Sequence, residues 1–225
     1  MLTVAQQQGR DKRHLRPCQQ GHWLRPRVCQ AFNQMQRAAA ADGIDLHIAS
    51  SYRDFARQLL IWNNKWLGLR PVLSLSGEDL DLASLSDDDK LHAILTWSAL
   101  PGASRHHWGT DLDVYDKQAI DASGQNLRLD SSEYSAGGPC YALACWLDEH
   151  AAQFNFSRPY QHYTGGVAAE AWHLSYQPLA AKIEQQQSTK RLKKIIQQAD
   201  IQGKDCILKN LDLIFNRYIL NQGKL

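Results

Sequence analysis

The chain has 225 residues, of which 44% are hydrophobic, 21% charged and 9% aromatic, with 14 Gly, 7 Pro and 5 Cys. That composition excludes a disordered chain, and no apolar run reaches the roughly 18 residues of a membrane span. With 25 Lys+Arg against 23 Asp+Glu, the net charge of +2 supplies no broad cationic field for nucleic acid, so function must sit in a local site.

After a polar N-terminal arm, Pro26 suits the first turn of a helix. Its apolar positions Val28, Phe32, Met35 and Ala39 recur at helical spacing until Asp42-Gly43 ends it. Residues 44–49 (IDLHIA) alternate as a half-buried strand. In the SSYRD that follows, Ser51 and Asp54 occupy the places of a capping box opening a second helix to about Trp66. Arg53 therefore stands at a strand-to-helix junction. Residues 67–85 read as an irregular crossing, and Ser86 before three aspartates reads as the N-cap of a helix running to about Ala99. Pro101-Gly102 breaks that helix.

SRHHWGTDLDVYD begins as loop and becomes a strand at Thr110, where Leu112 and Val114 alternate with Asp111 and Asp113. Aspartates alternating into a strand are costly. Residues 117–138 read as a long surface connection, and Pro139 opens another helix. FNFSRPY and EAWHLSY then read as short aromatic-rich strands separated by a Thr164-Gly165-Gly166 turn. Helices and strands are segregated rather than regularly alternating, which predicts an α+β fold with an antiparallel sheet.

From Pro178 onward the chain turns polar and basic. Residues 182–225 carry nine Lys/Arg against four Asp/Glu, which leaves the remainder net acidic. The K-R-L-K-K run reads as a solvated helix face, while Ile207, Leu208, Leu211, Ile214, Phe215 and Tyr218 mark an apolar helix face that docks on the main body. The five cysteines, at 18, 29, 140, 145 and 206, are odd in number and form no C-x-x-C pair, so free thiols packed as small hydrophobes are expected. The first residues lack the apolar stretch of a secretory signal. A cytoplasmic location is the expectation, with periplasm or cell wall as the alternative.

Of the nine histidines, His14, His22, His92 and His150 read as solvated surface residues, and His47 and His162 as hydrogen-bonding partners near a site. His106 and His173 differ by their neighbours. His106 precedes Asp113 by seven residues, an odd spacing that a continuous strand would throw to opposite faces. A pivot at Gly109 removes that obstacle. With His173, two nitrogens and one oxygen make the composition of a catalytic zinc site, which keeps a position open for water and lowers its pKa to roughly 7. Glu170, three residues before His173, is the candidate base. Arg53 is suited to stabilise an oxyanion or to pair with a peptide's terminal carboxylate.

Ser104, His106, Gly109 and Asp113 spell S-x-H-x-x-G-x-x-x-D, and Glu170, Trp172 and His173 spell E-x-W-H. With SSYRDFARQ (50–58), SRHHWGTDLDV (104–114) and AEAWHLSY (169–176), the sequence resembles the zinc D-alanyl-D-alanine carboxypeptidases of the VanY type. Their wider group includes lysostaphin-like endopeptidases and the hedgehog signalling domain. The resemblance implies a small central antiparallel sheet with helices packed on it. It divides the chain into an N-terminal arm (1–20), a zinc peptidase domain (21–181) and a basic helical C-terminal extension (182–225).

By that likeness His106, Asp113 and His173 hold one zinc ion and Glu170 is the general base. Arg53 polarises the substrate, Gln58 binds it, and Ser104 and Trp172 line the pocket beside the metal. The implied substrate is a peptidoglycan stem peptide or muropeptide losing its terminal D-alanine. An L-alanyl-D-glutamate endopeptidase or an L,D-carboxypeptidase is the alternative within the same chemistry. A non-catalytic zinc-stabilised binding module is the alternative of another class, but it needs neither Glu170 nor Arg53. A Ser or Cys hydrolase is the weakest, because no nucleophile-elbow pattern surrounds Ser104 and none accompanies Cys140.

One position departs from the family pattern. Asp111 stands where the family usually has a small residue. Sharing a strand face with Asp113, it is expected to partner a ligand, or to alter the pocket's charge and contact substrate, or to sit at a solvent-open rim. The E-x-W-H spacing also requires a bulge or strand end.

Overall fold

Polar caps and prolines punctuate the chain where its helices begin. The computed structural model describes residues 1–19 and 21–223. A capping box of Thr3 and Gln6 starts the short α1 (Val4–Gln7), and β1 (Arg16–Pro17) pairs antiparallel with β2 (Trp23–Leu24). Pro26 opens α2 (Pro26–Ala41), which buries Val28, Ala31, Phe32, Met35 and Ala39. After β3 (Leu46–Ser50) comes α3 (Phe55–Trp66). Its cap is Asp54, whose side chain accepts from Arg57 N at 2.7 Å. The expected capping box is absent because the Ser51 hydroxyl is engaged by Trp23 N and His22. Ser86 caps α4 (Asp87–Trp97), with three aspartates on the positive helix end.

The remaining elements are β4 (Asp111–Asp116), α5 (Lys117–Ser123), α6 (Tyr141–His150), β5 (Phe156–Ser157), β6 (His173–Tyr176), α7 (Gln177–Glu184), α8 (Thr189–Gln198), α9 (Lys204–Lys209) and α10 (Leu211–Ile214). The helix α5 corrects the reading of 117–138 as plain connection. Asp116 ends the strand and its carboxylate accepts from Ala119 N at 3.0 Å, so one residue is both strand end and helix cap.

The main sheet has the order β3-β4-β6-β5 with every pairing antiparallel, the α+β arrangement expected. In the β4–β6 ladder Asp113 faces His173, Leu112 faces Leu174 and Asp111 faces Ser175. Alternation therefore makes two unlike faces. Leu112, Val114 and Leu174 pack with Phe32 and Met35 of α2 and Leu143 and Leu147 of α6. The aspartates, His173 and Ser175 lie on the other face. Between Ile48 and Ser50 a bulge shifts the β3–β4 register just before Arg53.

A second core joins Trp62 of α3 and Leu91 and Ile94 of α4 to Leu192 and Ile196 of α8, Ile207, Leu211, Ile214 and Tyr218. Each fully buried side chain of this kind contributes about 1.5–3 kcal/mol. An exposed, solvent-screened pair such as Lys209–Asp88 adds little beside this, so apolar burial holds the C-terminal segment in place. Lys190, Arg191, Lys193 and Lys194 face solvent.

Three histidines expected at the surface are half-buried or engaged. His22 meets Ser51 Oγ at 3.1 Å, His92 meets Tyr218 Oη at 2.9 Å, and His14 is largely enclosed beside the Tyr52 ring. His47 pairs with Asp45, and neither it nor the exposed His162 bonds to a site side chain among the described residues.

The cysteine expectation also needs correction. Cys18 and Cys29 form a disulfide joining the N-terminal region to α2, while Cys140, Cys145 and Cys206 are free. Spacing alone does not reveal the pair, because the antiparallel β1–β2 turn is what folds Cys18 back on α2. For a sequence separation of 11, removing the cross-link by reduction or by Cys18→Ser should lower stability by about 2–3 kcal/mol. Denaturant midpoints with and without reductant check this.

Candidate active site

His106 sits on a single 3-10 turn (Arg105–Trp108) that ends at Gly109 with φ 65°. A side chain there is excluded twice, by the left-handed backbone and because a Cβ would stand 2.2 Å from Leu15 Cδ2. This is the pivot expected from the spacing. It brings His106 Nε2 to 3.4 Å from Asp113 Oδ2, while His173 Nδ1 lies 3.0 Å from Asp113 Oδ1. One donor atom from each of the three residues falls within 4.8 Å of the others.

The outer nitrogens decide which ring atoms face the cluster. His106 Nδ1 lies 2.8 Å from the Ser51 carbonyl, which fixes its proton there and leaves the Nε2 lone pair directed inward. His173 Nε2 lies 3.2 Å from Asp111 Oδ1, so Nδ1 is the inward atom. Zinc–nitrogen and zinc–oxygen bonds near 2.1 Å at tetrahedral angles place ligand atoms about 3.4 Å apart. The two-nitrogen, one-oxygen donor set, its spacing and its pre-oriented tautomers fit such an ion.

Glu170 precedes β6 in a turn closed by His173 N to Glu170 O (3.3 Å), and its own N–H donates to Tyr160 O (2.8 Å). The strand end, not a bulge, resolves the E-x-W-H spacing. Glu170 Oε2 reaches 3.5 Å from His173 Nδ1. Burial, reinforced by Asp113, pushes the Glu170 carboxyl up to about 7, against the attraction of His173, Arg53 and Lys65. Burial also pushes Asp113 up, yet His106, His173 and Arg53 win and hold it below its ordinary value. His106 is driven down to about 4 by burial, and Arg53 and His173 add to that. Burial opposes charge on His173 too, but the Asp111 and Asp113 hydrogen bonds raise it to about 10.

Arg53 is clamped at both ends. Its guanidinium donates to Gln58 Oε1 (2.9 Å) and Ser50 Oγ (3.3 Å). Its backbone N–H donates to His106 O (3.2 Å), and its carbonyl accepts from His107 Nδ1 (2.6 Å). His107, fully buried, also accepts from Gly102 N at 3.0 Å. Gln58 is 0% exposed, donates to Ala99 O at 2.7 Å and does not line the cavity. Its expected role in binding substrate is corrected to holding Arg53.

Asp111 is likewise 0% exposed and stands behind His173. It accepts from Arg105 Nε (2.7 Å) and Thr110 Oγ1 (2.5 Å), and Arg105 continues to Glu184 Oε1 (2.9 Å) and Ser175 Oγ (2.8 Å). Despite burial, Arg105 and His173 keep its carboxyl well below the ordinary range. The solvent-rim and substrate-contact readings of Asp111 are both corrected: it partners a candidate ligand.

A cavity of about 770 Å³ opens over the cluster. Ser104 and Trp172 line it as expected, with Arg53, Glu170, Tyr160 and Lys65. Residues 71–79 and 128–132 form outer walls, and Tyr218 and Ile219 close one side. Trp172 is braced by Tyr134 at 5.4 Å between ring centres. Sequence reasoning missed Arg105, His107, Tyr160 and Lys65. The first two flank His106 in SRHHW, and only the direction of the 3-10 turn separates the three roles.

The sequence profile of the VanY D-alanyl-D-alanine carboxypeptidase family matches residues 21–179. The chain belongs to this family. A Haemophilus influenzae protein described only as uncharacterized is 37% identical over 127 residues, 56% of this chain and 96% of its own length. A D-alanyl-D-alanine carboxypeptidase of Enterococcus faecalis is 29% identical over 153 residues, 67% of this chain but 47% of that protein. Among solved structures, VanYB in complex with D-Ala-D-Ala superposes with a TM-score of 0.53 at 25% identity, covering 76% of this chain and 82% of the other. A vancomycin-resistance D,D-pentapeptidase VanY variant in complex with Zn(II) gives 0.52 at 26% identity, covering 75% and 82%.

Were a metal ion held by the cluster, Asp111 would stand at the far end of a carboxylate–imidazole–metal line, fixing the tautomer and basicity of His173. Asp111→Ala should weaken zinc binding by about 10–100-fold. Asp113→Ala, which removes a ligand, should lose the ion altogether. Chelator competition on the purified chain measures both.

Proposed function

We propose that this chain is a zinc-dependent carboxypeptidase that removes the terminal D-alanine from peptidoglycan stem peptides. The observation that carries the reading is that Glu170 and Arg53 line the same cavity as the His106/Asp113/His173 cluster, since a purely structural metal site needs neither. A bound zinc ion supplies Lewis-acid activation of water and of the scissile carbonyl.

The rest falls to the chain's own groups. Glu170, held near neutrality, is matched to take a proton from the attacking water and to return it to the leaving amine nitrogen. Arg53, fixed by Gln58, Ser50 and two backbone bonds, presents its guanidinium to the oxygen on which negative charge develops. Trp172 and Ser104 wall the site and limit water around the reacting carbonyl.

The reading extends to the compartment. Structural disulfides persist under oxidising conditions, so the Cys18–Cys29 pair supports work on the cell-wall side rather than in the reducing cytosol that the sequence suggests.

Muropeptides incubated with the zinc-loaded chain should lose a single C-terminal alanine, read by mass spectrometry. Release of a larger fragment from inside the stem would instead mark an endopeptidase. Glu170→Gln should keep its zinc while hydrolysis falls by about 10²–10⁴-fold. Full activity in that variant would overturn the role of Glu170. Arg53→Ala should lower kcat by about 10²–10³-fold.

A further inference from the structure

Gln58 and Trp62 are the buried residues of α3, and Lys65 follows them at the spacing of the same inward stripe. A lysine in that stripe is unusual, and this one has no hydrogen-bond or ion-pair partner among the described residues. Its side chain lines the cavity that holds Arg53, Glu170 and the His106/Asp113/His173 cluster.

The other cations near the cavity are committed elsewhere. Arg128 pairs with Asp130 at 2.8 Å, and Arg105 is taken by Asp111 and Glu184. Arg53 is bonded to the neutral Gln58 and Ser50. The charges that act on Lys65 are Arg70 and Arg53, which repel it, and Glu170, which attracts it. Burial, with those two arginines, pulls its ammonium down to about 8, which still leaves it mostly charged at neutral pH. Among the described residues, Arg53 and Lys65 thus face the cavity without an ion-pair partner of their own.

We propose that Lys65 is an anion subsite that receives a carboxylate of the bound substrate. This rests on the reading that a peptide occupies the cavity. In a stem peptide the carboxylate has two sources, the C-terminus or an acidic residue further up the chain. On the proposed mechanism Arg53, held by Gln58 and Ser50, serves the reacting carbonyl, which leaves a second charge to Lys65. A reader of the terminal carboxylate favours a peptide cut at its free end, whereas a reader of the internal one fixes the position of the stem along the cavity.

The test uses the full zinc-loaded chain carrying Glu170→Gln, so that binding is read by calorimetry without turnover. The probes are an acetylated peptide ending in D-Ala-D-Ala as the free acid and as the C-terminal amide, and a longer peptide with D-glutamate or D-glutamine within it. Lys65 should favour one free carboxylate over its amide by about 10–100-fold, the range of a hydrogen bond to a charged group. Lys65→Met should abolish that preference and Lys65→Arg should keep it. Loss of the C-terminal preference assigns the terminal carboxylate, and loss of the D-glutamate preference assigns the internal one.

The proposal is overturned if the parent chain shows neither preference, if no peptide binds, or if Lys65→Met retains both. Thermal melting establishes that each variant is folded. Hydrolysis by the Glu170-containing chain is scored separately. Without it, but with a Lys65-dependent preference, the peptidase reading fails and the subsite stands. With it, but without the preference, only the subsite fails.

Discussion

Two ionised carboxylates inside a sheet are the constraint around which this protein is arranged. Asp111 is 0% exposed and Asp113 is 5% exposed, and an unpaired charge at such positions costs several kcal/mol. The surrounding elements answer that cost. The β4–β6 register sets His173 directly across from Asp113, and the Gly109 pivot brings His106 to its other oxygen. Arg105 reaches Asp111 and is itself tied to Glu184, at the end of the helix that follows β6. A one-residue slip of β6 against β4 would set one of the aspartates across from Leu174 and turn that leucine onto the polar face. The apolar side of the sheet therefore enforces the geometry of the polar side. Packing Leu112, Val114 and Leu174 against α2 and α6 also builds the cluster.

The cavity lies where two cores meet. Trp172 and Leu129 belong with the sheet and α6, whereas Leu95, Leu100 and Tyr218 belong with α3, α4 and the C-terminal helices. Ligand residues come from the sheet side, and Arg53 and Lys65 flank or lie on α3. The relative seating of the two cores thus sets the distance between the metal-type cluster and the cations that face it. The C-terminal segment takes part in that seating, since Trp62 and Asn63 of α3 bond to the backbone of Gln202 and Asp200.

Much of this was legible in the sequence, for identifiable reasons. Pro26, Ser86 and the 3.6-residue stripes announce helices because capping and periodicity are local properties. His106, Asp113, His173 and Glu170 stood out because their S-x-H-x-x-G-x-x-x-D and E-x-W-H settings resemble those of a known family, since spacing alone is a weak signal, and the structure gathers donor atoms of the first three within 4.8 Å. The roles of Asp111 and Gln58 were not, because whether a polar side chain meets substrate or stands behind a neighbour depends on which face is covered. His107 and Arg105 were hidden for a related reason: three consecutive basic residues look alike until a 3-10 turn sends each in its own direction. The helix α5 was obscured by the polar composition it shares with true loops, and Cys18–Cys29 by the turn that brings its halves together.

Arg53 and the turn carrying His106 are stitched by one backbone bond, Arg53 N to His106 O, and by one from the buried His107 ring, Nδ1 to Arg53 O. The backbone of Arg53 and the turn that carries the candidate ligand His106 are thus tied together. Moving the Arg53 backbone would drag a candidate metal ligand with it. The segments free to vary are the walls at 71–79 and 128–132, which border the cavity without bonding to the cluster. The cluster and Arg53 are anchored through sheet and turn backbone, whereas the outer cavity walls are loops held apart from them.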